Sequence, residues 1–135
     1  MNRNFIHRIV ELTNTQRRQA GLPELRFNPV LAAAAQKHSV DMALEDFFSH
    51  NSPDGSKVSD RAKAEGYPSA FVGENIYAGG SEPEDAFKGW MNSQGHRNNI
   101  LNPQYKEIGV GYYFLANDTG NVNYKHYWTQ CFGSP

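Results

Sequence analysis

"EIGVGYYFLANDTGNVNYKHYWTQCF", residues 107–132, is the stretch on which the fold class turns. Its two ends, 107–115 and 122–132, are rich in β-branched and aromatic side chains, and "ANDTGN" at 116–121 supplies the Asn, Asp and Gly of a chain reversal. The reading is two antiparallel strands. "FVGENIYAGG", 71–80, has the composition of a third strand, and an apolar sheet of this kind needs cover from helices.

The helices lie upstream. Phe5, Ile6, Ile9, Val10 and Thr13 recur at helical spacing until Gly21 and Pro23, which predicts a helix over about residues 3–20. "NPVLAAAAQKHSVDMALED", 28–46, opens with Asn28 as N-cap and Pro29 at the first helical position, and its alanines suit close packing. A shorter helix is expected in "VSDRAKAEG", 58–66, capped by Ser59 and ended by Gly66. In "SEPEDAFKGWMNSQG", 81–95, Ser81 and Glu84 have capping-box spacing and Gly95 reads as the stop.

Composition narrows the function. The chain has 135 residues, enough for one compact domain over 1–135 with a single core. Thirteen basic against fourteen acidic residues give a net charge of −1 with no long block of either sign, which disfavours nucleic acid as a partner. The apolar stretches are too short and interrupted to span a membrane. Cys131 is the only cysteine, so the fold has no internal disulfide and is expected to be a monomer held by packing. "MNRNFIHRIV" lacks the apolar run of a secretory signal, so a secreted protein would need a leader beyond this numbering.

The five histidines are His7, His38, His50, His96 and His126. His38 falls on the apolar stripe of the second helix and reads as a hydrogen-bonded core residue. His7 reads as exposed on a helix, and His126 lies on a strand beside Trp128. His50, in "FSHNSPDG" at 48–55, follows the second helix and precedes a Pro-Gly turn, and His96 follows Gly95. Such junctions are where rigid elements present functional side chains. Glu74, in "GENI", is a carboxylate in an apolar segment and needs a partner. Two readings stay open on these residues: His50, Glu74 and His96 converge as a metal or acid–base cluster, or Glu74 is a structural acceptor and the histidines are unrelated. Asn75, Arg97 and Asn98 are expected to tie loops to the sheet, Trp90, Tyr127 and Trp128 to fill the core, and Tyr105 to border a cavity.

"FSHNSPDG", "GENIYAGG", "GWMNSQGHRNNIL", "IGVGYYF" and "YWTQCFG" together resemble the bacterial, SCP-like extracellular branch of the CAP superfamily of cysteine-rich secretory, antigen 5 and pathogenesis-related 1 proteins. The resemblance runs from the first helix to Phe132. It implies an α+β fold, an α-β-α sandwich with a small antiparallel sheet between helical layers, and a secreted or cell-surface location. It also implies a cleft of two histidines and two acids able to hold zinc, with His50 and His96 as the metal ligands and Glu74 beside them. Ser93 stands where eukaryotic members carry the second glutamate. Ser93 reads as a nucleophile beside His96 or, more simply, as a helix cap or a hydrogen-bond partner of the cluster. The expected function is a binding module for a divalent metal, a small apolar ligand, an extracellular protein or a cell-envelope partner. The alternative is a metal-dependent, protease-like hydrolase.

Overall fold

A computed structural model describes residues 3–135; Met1 and Asn2, with which the stretch read for a secretory signal and the expected 1–135 domain begin, lie outside the described residues. The elements in chain order are α1 (Arg3–Gln19), β1 (Arg26–Phe27), α2 (Pro29–Leu44), α3 (Val58–Ala64), β2 (Val72–Ala78), α4 (Pro83–Met91), α5 (Gln94–Ile100), β3 (Glu107–Phe114) and β4 (His126–Gly133). The sheet runs β1-β3-β4-β2. β4 pairs antiparallel with both β3 and β2, while β1 joins β3 in parallel, so the sheet is mixed rather than wholly antiparallel.

Side chains of a strand alternate between faces, and here each face finds its own helices. Ile108, Val110 and Tyr112 of β3 and Trp128 and Phe132 of β4 pack with Ile6 and Ile9 of α1, Ala86 and Trp90 of α4 and Ile100 of α5. On the other face Cys131 meets Leu31 and Ala35 of α2 and Ala62 of α3, and Tyr127 and Ile76 meet Met42 and Ala43 of α2. The result is an α-β-α sandwich. Cys131 is buried and free, and burial pushes its thiol well up.

The α2 layer depends on two glycines. Gly109 and Gly111 alternate with core residues on β3, and a Cβ on them would stand 2.1 Å from the Ala32 backbone nitrogen and 2.4 Å from that of Gln36. The helix backbone therefore lies directly on the strand. Gln36 locks the contact, donating to the Tyr112 carbonyl at 2.8 Å and accepting from its N–H at 3.0 Å. Asn28 caps α2 as expected, its Oδ1 accepting from the N–H groups of Val30 and Leu31.

Several boundaries differ from the sequence reading. α3 is capped at Lys57, whose N–H donates to Asp60 at 2.9 Å, and Ser59 lies inside the helix. Pro83 takes the first position of α4, the place a residue without an N–H fits best. The capping box accordingly uses Glu82 and Asp85 instead of Ser81 and Glu84. Gly95 stops nothing: α4 ends at Met91, and Gly95 sits in the first turn of α5. β4 starts only at His126 because 117–125 is drawn into the loop. There the Asp118 carboxylate accepts from the Lys125 N–H and the Tyr127 hydroxyl, and Asp46 accepts from the N–H groups of Asn121 and Val122.

Adding one methyl at the helix–strand contact meets backbone on both sides, which cannot rotate away. Gly109→Ala and Gly111→Ala are each expected to destabilise the fold by about 1–3 kcal/mol or more, the range for overpacking, as read by urea unfolding. Gly95→Ala, with open space around it, should lose less than about 0.5 kcal/mol, the usual range for a surface change.

Candidate functional site at the outer strand β2

β2 is an outer strand, and the candidate residues gather around it from both layers. Glu74 sits in its middle, paired with Cys131 and hence on the α2 face, with a side chain 1% exposed. A carboxylate this deep costs several kilocalories per mole unless it is paired and hydrogen-bonded. Both oxygens are engaged: Oε1 accepts from Arg61 Nη2 at 2.7 Å and Oε2 from His50 Nδ1 at 2.9 Å. The Arg61 guanidinium on α3, itself buried, also donates to the carbonyls of His50 (3.0 Å) and Ser56 (3.0 Å) and to Ser52 Oγ (3.2 Å). One cation thus neutralises Glu74 and ties down the loop that carries His50. Gly55, with φ +90, closes the turn of that loop, as its sequence suggests.

His38 approaches the same carboxylate from α2. It is fully buried, its Nε2 lies 2.8 Å from the Ser49 carbonyl and 3.8 Å from Glu74 Oε2, and burial lowers its proton affinity against the opposing pull of Glu74. The core assignment for His38 is what the structure shows.

His96 comes from the opposite layer, in the first turn of α5, and is half-buried. It makes no hydrogen bond to Glu74. Burial, and then the charge of His50, lower its proton affinity. Asn75, on the face opposite Glu74, holds this layer: its Nδ2 donates to the His96 carbonyl (3.1 Å) and to Gln130 Oε1 (3.0 Å), and its Oδ1 accepts from Asn99 (2.9 Å). Asn99 also reaches the Glu74 carbonyl at 3.3 Å and Trp90 Nε1 donates to that of Ile76 at 3.0 Å, so the edge of β2 is covered. Ser93 occupies the N-cap position of α5, where its hydroxyl makes no capping bond. His96 Nδ1 is shielded and has no hydrogen-bond partner among the described residues, so Ser93 and His96 form no nucleophile–base pair through that atom.

Other expectations need adjustment. Asn98 is exposed, and the tie to the sheet is made by Asn99 instead; Arg97 donates to the Met91 carbonyl and joins α5 to the end of α4. The space beside Gly73 is taken by Tyr105, whose hydroxyl would stand 2.2 Å from a Cβ there; Tyr105 stacks on Phe132 in the core. Arg61, His38 and Asn99 were not singled out from the sequence as site residues. The need of Glu74 for a partner is visible there, but nothing local tells which of thirteen cations supplies it.

The zinc expected at His50 and His96 is overturned. Among the described residues no group of three or more His, Cys, Asp or Glu is disposed to hold a metal. The physical reason lies in the donor set: the Glu74 oxygens are spent on a permanent cation and on His50. An apolar pocket of about 340 Å³ lined by Arg3, Ile6, His7, Val10 and Phe27 shares no residue with the site.

Removing the cation should leave Glu74 stranded. Arg61→Met is expected to lose about 3–5 kcal/mol, the cost of breaking a buried pair, and adding Glu74→Gln should restore a large part of it, as measured by denaturant unfolding. His38 and His96 are both held below the ordinary 6.5, so the unfolded chain binds more protons than the folded one just below that pH. Their contribution is complete above pH 6.5 and is lost as pH falls through their lowered values. Melting temperature should therefore fall from neutral toward acid, more shallowly in His38→Gln.

Comparison with known proteins identifies the fold and the family. The uncharacterized protein YkwD of Bacillus subtilis (strain 168) is 41% identical over 125 residues, covering 93% of this chain and 45% of that protein. The crystal structure of an extracellular protein containing a SCP domain from Bacillus anthracis str. Ames has a TM-score of 0.84 at 34% identity, covering 98% of this chain and 41% of that one. The chain thus spans less than half the length of these two relatives. An outer surface protein of Borrelia burgdorferi shares the fold, with a TM-score of 0.82 at 16% identity over 93% of this chain and 89% of that one. The pattern of the CAP, or cysteine-rich secretory protein, family matches residues 10–132, nearly the whole sandwich, and the chain belongs to that family.

Proposed function

We propose that this secreted or cell-surface CAP domain is a non-catalytic binding module whose ligand site is the β2 edge at His50 and His96, with Ser93 at its rim. The family and the extracellular Bacillus anthracis relative support the location. The observation that carries the proposal is the bond from Glu74 to His50. The His50 side chain is 54% exposed, yet its inner nitrogen is held by a carboxylate that is 1% exposed. Such a carboxylate fixes the ring orientation and its tautomer. In the neutral ring Nδ1–H points inward to Glu74 and Nε2 presents a lone pair outward.

That lone pair selects the ligand. A small apolar molecule seated there would leave it dry, at about 1–3 kcal/mol. A ligand offering O–H or N–H groups satisfies it, and hydroxyl- and amide-bearing molecules of a cell envelope have that chemistry. Catalysis is disfavoured because one Glu74 oxygen is on Arg61 and no second acid stands by to handle a proton.

Titration of N-acetylglucosamine and its oligomers, followed by the imidazole ring signals in NMR, tests this. Saturable shifts at His50 and His96 are expected, with affinity at least about tenfold weaker in His50→Ala, equivalent to about 1.4 kcal/mol. Unchanged affinity in that variant would overturn the site, and silent rings throughout would overturn the ligand class.

A further inference from the structure

We infer that His38 is the positioning residue of this site: its Nε2–H donates to the Ser49 carbonyl and thereby sets where, and in which tautomer, the His50 ring meets Glu74. The inference deepens the reading above and rests on it only for the importance of His50.

A carbonyl accepts and never donates, so the 2.8 Å contact places the proton on His38 Nε2. The Ser49 carbonyl belongs to the peptide that leads into His50. Fixing that plane, while Arg61 Nη2 fixes the next one through the His50 carbonyl at 3.0 Å, leaves the His50 backbone no free rotation. Both clamps also stand against Glu74, Arg61 at 2.7 Å and His38 at 3.8 Å. Ring orientation and carboxylate position are thus set by the same two side chains. The need is real, because Phe48, Ser49, His50 and Asn51 are all exposed and packing alone does not hold them.

A space-filling role does not account for an imidazole here. Its Nδ1 is buried with no hydrogen-bond partner among the described residues, a cost that a leucine or phenylalanine would not carry. The ring sits on α2, which the Gly109 and Gly111 contacts seat directly on the sheet, so its donor has a fixed origin. Burial favours the neutral ring, with one N–H to give, and that N–H goes to the loop. Glu74 Oε2 is left to His50.

The test follows the imidazole nitrogens by long-range ¹H–¹⁵N NMR in the intact chain above the titration range of histidine. In the native protein His50 should show one tautomer, protonated at Nδ1, and His38 a slowly exchanging Nε2–H with coupling across the hydrogen bond to the Ser49 carbonyl carbon. In His38→Leu the His50 signals should shift to the averaged values of a free imidazole, while those of His96 stay. His38→Gln, whose amide N–H has similar reach, should restore the His50 signals. A folded His38→Leu that keeps the native His50 signals would overturn the inference, as would failure of His38→Gln to restore them. Where His38→Leu does not fold, the native protein decides, and absence of the coupling to Ser49 refutes the inference. A chain that passes while binding no envelope sugar overturns the function proposed above and leaves the role of His38 standing.

Discussion

The buried carboxylate of Glu74 is the constraint around which this end of the molecule is built. Its desolvation is offset by partners that arrive from separate elements: Arg61 from α3 and His50 from the loop after α2. Arg61 does a second job, and His38 from α2 joins it, because these two side chains hold the carbonyls on either side of the His50 N–H and Cα. A single charge therefore organises a loop of exposed residues that has little apolar contact of its own. Buried ion pairs are poor sources of net stability, and their better-attested use is to specify one arrangement among several. Here the arrangement specified is that of an exposed imidazole.

The second constraint is steric. α2 lies against β3 at backbone contact because Gly109 and Gly111 carry no side chain on that face, while Ile108 and Val110 between them fill the opposite core. One strand therefore serves two layers of different thickness. The close layer brings His38 to Glu74, and the other brings α5 and His96 to the far side of the same strand. Asn75 and Asn99 join that second layer to β2 through side-chain amides, whose paired donors and acceptors leave no buried polar group of theirs unmet.

The site resembles a metal cluster only in residue types. His50 meets Glu74 at the strand edge, but the glutamate is also committed to a guanidinium, and Ser93 stands at a helix N-cap. What remains is a fixed hydrogen-bonding edge. The binding role proposed for this edge accords with a secreted or cell-surface CAP domain, and the chain spans less than half the length of its two Bacillus relatives.

Much of the fold was legible in the sequence because it is local. The apolar spacing of α1, the Asn28-Pro29 start of α2, the β-branched strands and the helix stops at Gly21 and Gly66 all depend on neighbours within a few residues, and the structure has them. The motif blocks likewise carried the family. Boundaries set by competition, such as the box shifted by Pro83 and the fifth helix beginning at Gln94, were misread where two local signals overlapped. The meeting of His50 with Glu74 was one of two readings that the residues left open, and the identity of the balancing cation was not legible at all, since Arg61 is thirteen residues from Glu74 and reaches it only after α3 has folded against β2. The roles of His38 and Asn99 were decided in the same way. Sequence determined that a buried acid required partners; the tertiary structure chose them, because charge pairing acts through space and leaves no periodic mark along the chain.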